Sequence, residues 1–211
     1  MGRLLGALAA ETDPPTTIRE PAEAVDAHIA DSLSGLEVEE LDRAGAIADV
    51  GSGAGFPGLP LAIALPAARV DLVEAAHRKC EVVERLAAAA GVANARAVPL
   101  RAEEHAGGEG HDAYDAVTAR AVDSLAVLVE YAAPLLREGG VLVAWKGARE
   151  GNEEEAGETA AALLGLEPRG VRRVEPFEGA RDRHLHVYAK VLATPDGFPR
   201  RPGMARKRPL G

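Results

Sequence analysis

A glycine-rich stretch constrains the fold of this chain more than any other feature. The apolar run Ala46 to Val50 predicts a strand, the stretch after it reads GSGAGFPG, and the apolar run Leu59 to Leu65 predicts a helix. Strand, glycine turn and helix in this order form the first unit of a nucleotide-binding α/β sheet. We expect Pro57 at the first helical position, with the free N–H groups of the helix N-terminus facing polar ligand atoms.

The spacing of the glycines fits two kinds of cofactor. Gly53, Gly55 and Gly58 match the fingerprint of dinucleotide-binding proteins. Asp49, followed by alternate glycines that begin at Gly51, matches the acidic loop of S-adenosylmethionine (SAM) methyltransferases. An acid ahead of the glycines repels a pyrophosphate but suits the methionine part of SAM, so Asp49 favours the second interpretation. A glycine-rich turn without any ligand is the third alternative.

Predicted strands and helices alternate beyond the glycine-rich stretch. Further strands are predicted at 69–74, 96–100, 114–119, 141–145, 171–175 and 184–192, and helices at 21–41, 78–90, 122–136 and 150–164. Such alternation is typical of a mainly parallel sheet covered by helices on both faces. The last two strands, joined by a polar turn, add an antiparallel pair. The sequence therefore predicts one α/β domain with a short appendage.

The predicted strands of this sheet end at charged residues. Asp49, Glu74, Arg101, Arg120 and Lys146 each follow an apolar run. Ligands of such sheets bind beyond the carboxyl ends of the strands, so we expect these side chains to converge on one edge. Glu74 has the place of the acid that holds ribose hydroxyls, which both NAD and SAM carry.

The charge of the chain is distributed unevenly. The net charge is −9, whereas residues 200–211 carry +5 and contain no acid, which leaves −14 for the remainder. The basic residues of this tail are Arg200, Arg201, Arg206, Lys207 and Arg208. A basic tail on an acidic body predicts an arm that contacts phosphates. A solvated, disordered end fits the same composition equally well.

The remaining features concern the compartment and the N-terminal region. No apolar run approaches the roughly 20 residues that span a bilayer. The run Leu4 to Ala10 predicts the start of a helix rather than a signal peptide. Cys80 is the single cysteine, which indicates a reducing compartment. We expect it to be a small, packed side chain. His28 and Asp31, three residues apart, predict a hydrogen-bonded pair on a helix surface.

The stretch Asp49 to Pro60, DVGSGAGFPGLP, resembles the cofactor loop of the bacterial 16S ribosomal RNA guanine-N7 methyltransferases, the glucose-inhibited division protein B family. Further matching motifs are HIADSL at 28–33, RK at 78–79, RAEE at 101–104, ARA at 119–121, VLVAWKG at 141–147, FPRRPG at 198–203 and KRPL at 207–210. The resemblance covers roughly residues 16–211. The Phe-Pro-Gly extension of the loop and the Pro-Arg-Arg-Pro-Gly tail are specific to this family.

The resemblance implies a class I, Rossmann-like methyltransferase with a mostly parallel seven-stranded sheet, an antiparallel last strand and small N-terminal helices. We expect an N-terminal helical appendage (1–44), a SAM-binding core (45–193) and a basic C-terminal tail (194–211) that packs on the core or extends from it. SAM is the implied methyl donor, without a metal. The implied acceptor is a guanine, conventionally numbered 527, in the 530 loop of 16S rRNA, free or in the 30S particle. We expect a cytoplasmic monomer that does not bind membranes.

The resemblance also assigns site residues. The residues expected to bind the cofactor are Asp49, Gly51, Gly53, Gly55, Phe56, Glu74, Ala75, Ala76, Ala102, Glu103 and Arg120. In this assignment Glu74 to Ala76 take the ribose and adenosine side, Ala102 and Glu103 flank the adenine, and Arg120 faces the cofactor or the incoming base. The residues expected to bind RNA are His28, Arg200, Arg201 and Lys207. Arg120 and Lys146 position the substrate, and no residue is expected to act as a general base.

The N-terminal segment departs from the family pattern. The family has a longer N-terminal helix and an Asn-Leu-Thr motif before Ile-Arg, whereas Pro14-Pro15-Thr16-Thr17 precedes Ile18 here. Contacts of that motif are therefore not carried over to this chain. Two other functions stay open: an NAD-dependent oxidoreductase, favoured by the overlapping glycine spacing, and a non-catalytic ribosome-assembly factor that retains a SAM pocket.

Overall fold

Seven strands form one mixed sheet in the computed structural model, which describes residues 1–18 and 20–211. The strands are β1 (Ala46–Val50), β2 (Arg69–Val73), β3 (Ala95–Val98), β4 (Tyr114–Arg120), β5 (Leu136–Lys146), β6 (Leu166–Arg173) and β7 (His184–Lys190). Their order is β3-β2-β1-β4-β5-β7-β6, and β7 runs antiparallel to both of its neighbours. The predicted α/β class and the antiparallel last strand are confirmed.

Helices cover both faces of the sheet. They are α1 (Gly2–Ala10), α2 (Pro21–Ala24), α3 (Asp31–Leu33), α4 (Glu39–Asp42), α5 (Gly58–Ala64), α6 (His77–Ala90), α7 (Ala102–Ala106), α8 (Leu125–Ala132), α9 (Gly151–Leu164) and α10 (Met204–Lys207). A π-helical turn (Val25–Ala30) separates α2 from α3, and a 3-10 turn (Ser34–Glu37) separates α3 from α4. Gly91 ends α6 in the left-handed conformation, as predicted, with φ +73°.

The helix predicted at 122–136 is wrong in length. Helix α8 covers only Leu125–Ala132, because Pro134 has no N–H with which to continue the helical hydrogen bonds. Leu136 already begins β5, whose pairing with β4 shifts register near its start. At the other end, the residues from Val122 to Ser124 form a loop at the carboxyl edge of the sheet rather than a helical turn.

The single helix predicted at 21–41 is also wrong, because this region is a series of short turns. Gly35 shows the physical reason: a Cβ atom placed there would lie about 2.5 Å from the Trp145 ring. The backbone therefore passes directly over the indole. Trp145 Nε1 also donates a hydrogen bond of 2.8 Å to the carbonyl of Asp31. The N-terminal turns follow the shape of the end of β5 instead of forming a regular helix.

Alternate residues of each strand face two hydrophobic clusters. On one face, Ile47 and Leu72 pack with residues of α1, α5 and α6. On the other, Val50 and Val117 pack with residues of α7, α8 and α9. Leu4 and Leu8 of α1 belong to the first cluster. The helix predicted to start in the N-terminal run is therefore present, and it shares the core of the sheet.

The C-terminal residues lie against the core. Ala205 of α10 is fully buried, and the Gly203 N–H donates to Glu103 Oε1 at 2.7 Å. Cys80 on α6 is buried as predicted, with its thiol directed to the carbonyl of Glu74 at 3.1 Å. Across the described parts of the chain, no helix is long and apolar enough to cross a membrane.

Candidate functional site

Two adjoining cavities open at the carboxyl ends of the strands. A smaller cavity of about 270 Å³ lies beyond β1, β2 and β3, and a larger one of about 1030 Å³ lies beyond β4 and β5. Ala121 and Val122, which follow β4, line both of them. The strand order reverses between β1 and β4, so the cavities occupy the topological switch point at which ligands of α/β sheets bind.

The glycine-rich loop forms one wall of the smaller cavity. Gly51, Gly53 and Gly55 all have positive φ. A Cβ atom at Gly51 would lie 2.7 Å from Val122, and one at Gly55 would lie 2.6 Å from Leu59, so both positions need glycine for packing. A Cβ atom at Gly53 would meet only the Gly51 carbonyl, at 3.8 Å. The space above Gly53 is therefore open to a ligand.

Glu74 organises the polar side of this cavity. Its carboxylate accepts hydrogen bonds from the Gly53 N–H at 3.2 Å and from the Ala76 N–H at 2.9 Å, and the Lys79 ammonium lies 3.7 Å away. The carboxylate thereby joins the glycine-rich loop to the residues after β2. An acid held in this way at the end of the second strand suits the hydroxyls of a ribose.

Asp49 lies beneath the loop and not at the cavity surface. It is fully buried, and its carboxylate accepts from the Gly58 N–H and the Thr118 hydroxyl, both at 3.0 Å. Burial raises the pKa of Asp49 to about 7, against the lowering effect of these hydrogen bonds. The predicted free helix N-terminus is therefore wrong in part, since Asp49 already occupies the Gly58 N–H. Pro57 is the N-cap residue, not the first helical residue.

The far wall of the smaller cavity contains residues that the sequence did not indicate. Ala102 and Glu103 line it as expected, together with Leu100, Tyr131 and Arg206. Tyr131 lies within the largely apolar helix α8 and gave no sequence signal. Arg206 belongs to the basic tail, but its guanidinium pairs with Asp123 and donates to the Val122 carbonyl at 3.1 Å.

Arg120 lines the larger cavity and connects several of its segments. Its Nη1 donates to Asp31 Oδ2 at 2.7 Å and to the Ala27 carbonyl at 3.0 Å, and its guanidinium lies 5.9 Å from the centroid of the Phe56 ring. The pair with Asp31 joins β4 to the N-terminal turns. His28 and Asp31 are both 6% exposed, and each bonds to other residues, so the predicted hydrogen-bonded pair on a helix surface is wrong.

His28 is held as a neutral ring in the wall of the larger cavity. It stacks on Phe56 with ring centroids 4.2 Å apart, and its Nε2 lies 3.0 Å from the Thr16 hydroxyl. Burial, and secondarily the charge of Arg120, lowers the pKa of His28 to about 4. At neutral pH this imidazole therefore carries no charge with which to attract a phosphate.

Lys146, at the end of β5, is also paired. Its ammonium lies 2.6 Å from Glu153 Oε1 and donates to the Asp123 carbonyl at 3.1 Å. The same Glu153 oxygen accepts from the Leu125 N–H at 3.0 Å. Lys146 thus fixes the loop between β4 and α8 that borders both cavities.

The basic tail divides into paired and exposed residues. Arg200 forms a two-pronged ion pair with Glu130, which is 2% exposed, and one of its hydrogen bonds measures 2.6 Å. Arg201, Lys207 and Arg208 have exposed side chains. Arg200 therefore anchors the tail to α8, whereas Arg201 and Lys207 point their charge at solvent.

The structure brings together part of the predicted site. The predicted cofactor residues that line the smaller cavity are Gly51, Glu74, Ala75, Ala102 and Glu103. Arg120 and Lys146 line the larger cavity with His28. Gly53 and Ala76 contribute through their N–H groups to Glu74, whereas Asp49, Gly55 and Phe56 support the loop from below. Among the described residues, no cluster of three or more metal-ligating side chains occurs.

Solved structures with the same fold include O-methyltransferases. The chain is 25% identical to a predicted O-methyltransferase from Agrobacterium tumefaciens, with a TM-score of 0.59 over 76% of this chain and 80% of that one. It superposes on a SAM-dependent O-methyltransferase from Thermotoga maritima with a TM-score of 0.60 at 17% identity, over 92% of this chain and 73% of that one. The class I, Rossmann-like fold is confirmed by these similarities.

Sequence comparison identifies the family. The model of the GidB family, described as rRNA small subunit methyltransferase G, matches residues 15–185. The chain is 43% identical to ribosomal RNA small subunit methyltransferase G of Rubrobacter xylanophilus, over 91% of this chain and 75% of the relative. It is 39% identical to the protein of that name from Pelotomaculum thermopropionicum, over 92% and 82%. The oxidoreductase alternative is not favoured, and the chain belongs to the rRNA small subunit methyltransferase G family.

Proposed function

We propose that this protein transfers the methyl group of SAM to N7 of the guanine numbered 527 in the 530 loop of 16S rRNA. The observation that carries the proposal is the pair of adjoining cavities that share Ala121 and Val122. A methyl transfer needs a donor and an acceptor base side by side. The smaller cavity has the size and the carboxylate for a nucleoside, and the larger one has room for a base with its ribose.

The residues of the smaller cavity fit SAM. Glu74 presents a carboxylate for ribose hydroxyls, and the absent side chain of Gly53 leaves open space above the loop. The buried Ser52 hydroxyl of the same loop has no hydrogen-bond partner among the described residues. SAM, when bound, supplies an electrophilic methyl group on a sulfonium. We assign Ala75, Ala102 and Glu103 to the adenosine end and Gly51 to the methionine end.

The residues of the larger cavity align the base rather than activate it. N7 of guanine carries an in-plane lone pair and no proton, so no general base is required. His28 is neutral at physiological pH and stacked on Phe56, which makes its ring part of a rigid wall. Arg120 and Lys146 hold the segments around the cavity through their ion pairs. Catalysis then depends on alignment and on a preorganised electrostatic environment.

We assign RNA binding to exposed cations for which the described residues offer no ion-pair partner. Arg201 and Lys207 on the tail contact backbone phosphates in this proposal, whereas Arg200 holds the tail in place. The target base leaves its stack to enter the larger cavity. We propose the 30S particle as substrate and a monomer in the cytoplasm as the acting form.

A labelling experiment tests the proposal. The protein is incubated with methyl-labelled SAM and with unmethylated 16S RNA or 30S particles, and the labelled RNA is treated with borohydride and aniline. We expect cleavage at one position of the 530 loop, because N7-methylguanine carries a fixed positive charge that makes its glycosidic bond labile. Labelled RNA that resists cleavage, or that releases methylated adenine, contradicts the assignment. SAM binding without any transfer would favour the non-catalytic assembly factor.

A further inference from the structure

One carboxylate oxygen in the larger cavity has no hydrogen-bond partner within the described part of the chain. The Asp31 side chain is 9% exposed, and its Oδ2 accepts from Arg120 at 2.7 Å. Among the residues that the structure describes, no donor bonds to its Oδ1. The nearest cation there is Arg183, whose Nε lies 3.6 Å from Oδ1 and whose side chain is 42% exposed. That separation is too long for a good hydrogen bond, so a buried acceptor stays unsatisfied.

The proposed reaction restricts how the target guanine can be recognised. Proteins most often read guanine with an arginine that bonds N7 and O6 together. That contact would block N7, which must stay free to receive the methyl group. The exocyclic N2 amino group remains available, and it is a hydrogen-bond donor that adenine lacks at this position. A residue that reads N2 must offer an acceptor, such as a carboxylate oxygen.

Three aspartates line the larger cavity, and two of them are engaged elsewhere. Asp13 pairs with Arg78, and its side chain is 62% exposed. Asp123 accepts from the Ser124 N–H at 2.8 Å through Oδ1 and pairs with Arg206 through Oδ2. Asp31 is the third, and its Oδ1 is the unsatisfied acceptor.

We propose that Asp31 selects guanine, with Oδ1 accepting a hydrogen bond from the N2 amino group of the target base. Oδ2 stays paired with Arg120, and the half-exposed Arg183 side chain turns away from Oδ1 as the base enters. N2 and N7 lie on opposite sides of the purine, so Asp31 can hold the base while N7 faces the cofactor cavity. The inference rests on the proposed function and adds to it a residue that determines which base is methylated.

Inosine provides the test, because it differs from guanosine only by the absence of the N2 amino group. We compare kcat/KM on 30S particles that carry guanosine or inosine at the target position. The wild-type protein should prefer guanosine by about 10- to 150-fold, the range for a hydrogen bond to a charged group. In Asp31→Ala the ratio of kcat/KM for guanosine to that for inosine should approach one. In Asp31→Asn, which retains a neutral acceptor, this ratio should be about 2 to 12.

The ratio separates base reading from structural damage, because a loosened cavity slows both substrates alike. Arg183→Ala serves as the matched control and should keep the wild-type ratio, since it removes the neighbour of Oδ1 but not the acceptor. A wild-type ratio in Asp31→Asn, or no preference in the wild-type protein, overturns the inference while the methyltransferase proposal stands. A wild-type protein that methylates neither particle overturns both.

Discussion

The two cavities differ in the groups that form their walls. In the smaller cavity, backbone N–H groups of nearby segments donate hydrogen bonds to one carboxylate: the Glu74 side chain accepts from Gly53 and Ala76. In the larger one, side chains from distant parts of the chain meet, since Arg120 and Asp31 are 89 positions apart. The smaller cavity thus depends on local backbone conformation, and the larger one on the docking of the N-terminal turns. Substitutions should separate cofactor binding from the stability of that docking.

The largest effect is expected from the larger cavity. Arg120→Ala leaves the buried carboxylate of Asp31 without its partner and should lower the free energy of unfolding by about 3–5 kcal/mol, as measured by urea denaturation. Arg101→Ala is the matched control, because Arg101 also follows a strand but is exposed at the smaller cavity. That variant should stay within about 0.5 kcal/mol of the wild type. Equal losses in the two variants would contradict the distinction between the cavities.

The smaller cavity should respond in cofactor affinity. Glu74→Ala removes a charged acceptor for the ribose and should weaken SAM binding by about 1.5–3 kcal/mol, measured by titration calorimetry. Asp31→Asn, in the larger cavity, should leave SAM affinity within about twofold. An unchanged affinity in the Glu74 variant would remove Glu74 from the cofactor site. A similar loss in both variants would show that the cavities are energetically coupled.

The two regions should also differ in the sign of their pH dependence. His28 has a folded-state pKa of about 4, so between pH 6.5 and 4 the unfolded chain binds a proton that the folded chain does not. The free energy of unfolding therefore falls as the pH falls, by about 2 kcal/mol at pH 5 for this group. Relative to the wild type, His28→Gln should become progressively more stable on acidification.

Asp49 gives the opposite trend and is the internal control. Its folded-state pKa of about 7 means that the folded chain retains a proton that the unfolded chain has lost between pH 4 and 7. Its contribution to stability therefore falls as the pH rises. Relative to the wild type, Asp49→Asn should gain stability toward neutral pH. Denaturation curves at several pH values give the stability of each variant relative to the wild type. If this relative stability changes with pH in the same direction for both variants, the assigned ionisation states are refuted.

The smallest effects are expected for the exposed cations of the tail, Arg201 and Lys207. Arg201→Ala and Lys207→Ala should each make the salt dependence of RNA binding shallower by about 0.7 to 0.9 log units for each lost phosphate contact. SAM affinity should not change. Arg200→Ala should instead destabilise the packing of the tail, because it leaves the buried Glu130 unpaired. A salt slope that only Arg200→Ala alters would reverse the roles of these residues.

The smaller cavity could be predicted from the sequence because its signals are local. The first strand, the acid at its end and the glycines adjoin in the sequence. The backbone conformation of this short stretch determines their positions at the cavity. Its far wall could not be predicted, because Tyr131 lies in a largely apolar helix and Arg206 reaches the cavity only through the path of the tail. The ion pairs of the larger cavity gave no sequence signal either, since their members lie in separate segments.

The amino-acid sequence alone predicted the succession of strands, the mainly parallel sheet and the place of the glycine-rich loop after the first strand. Periodicity and turn-forming residues encode these features over short distances. Which polar groups are used internally became clear from the folded chain: Asp49 holds α5, Arg200 holds the tail, and Arg120 holds the N-terminal turns. A charged residue looks the same in a sequence whether its partner is a ligand or another segment, because the partner is chosen only when the chain folds.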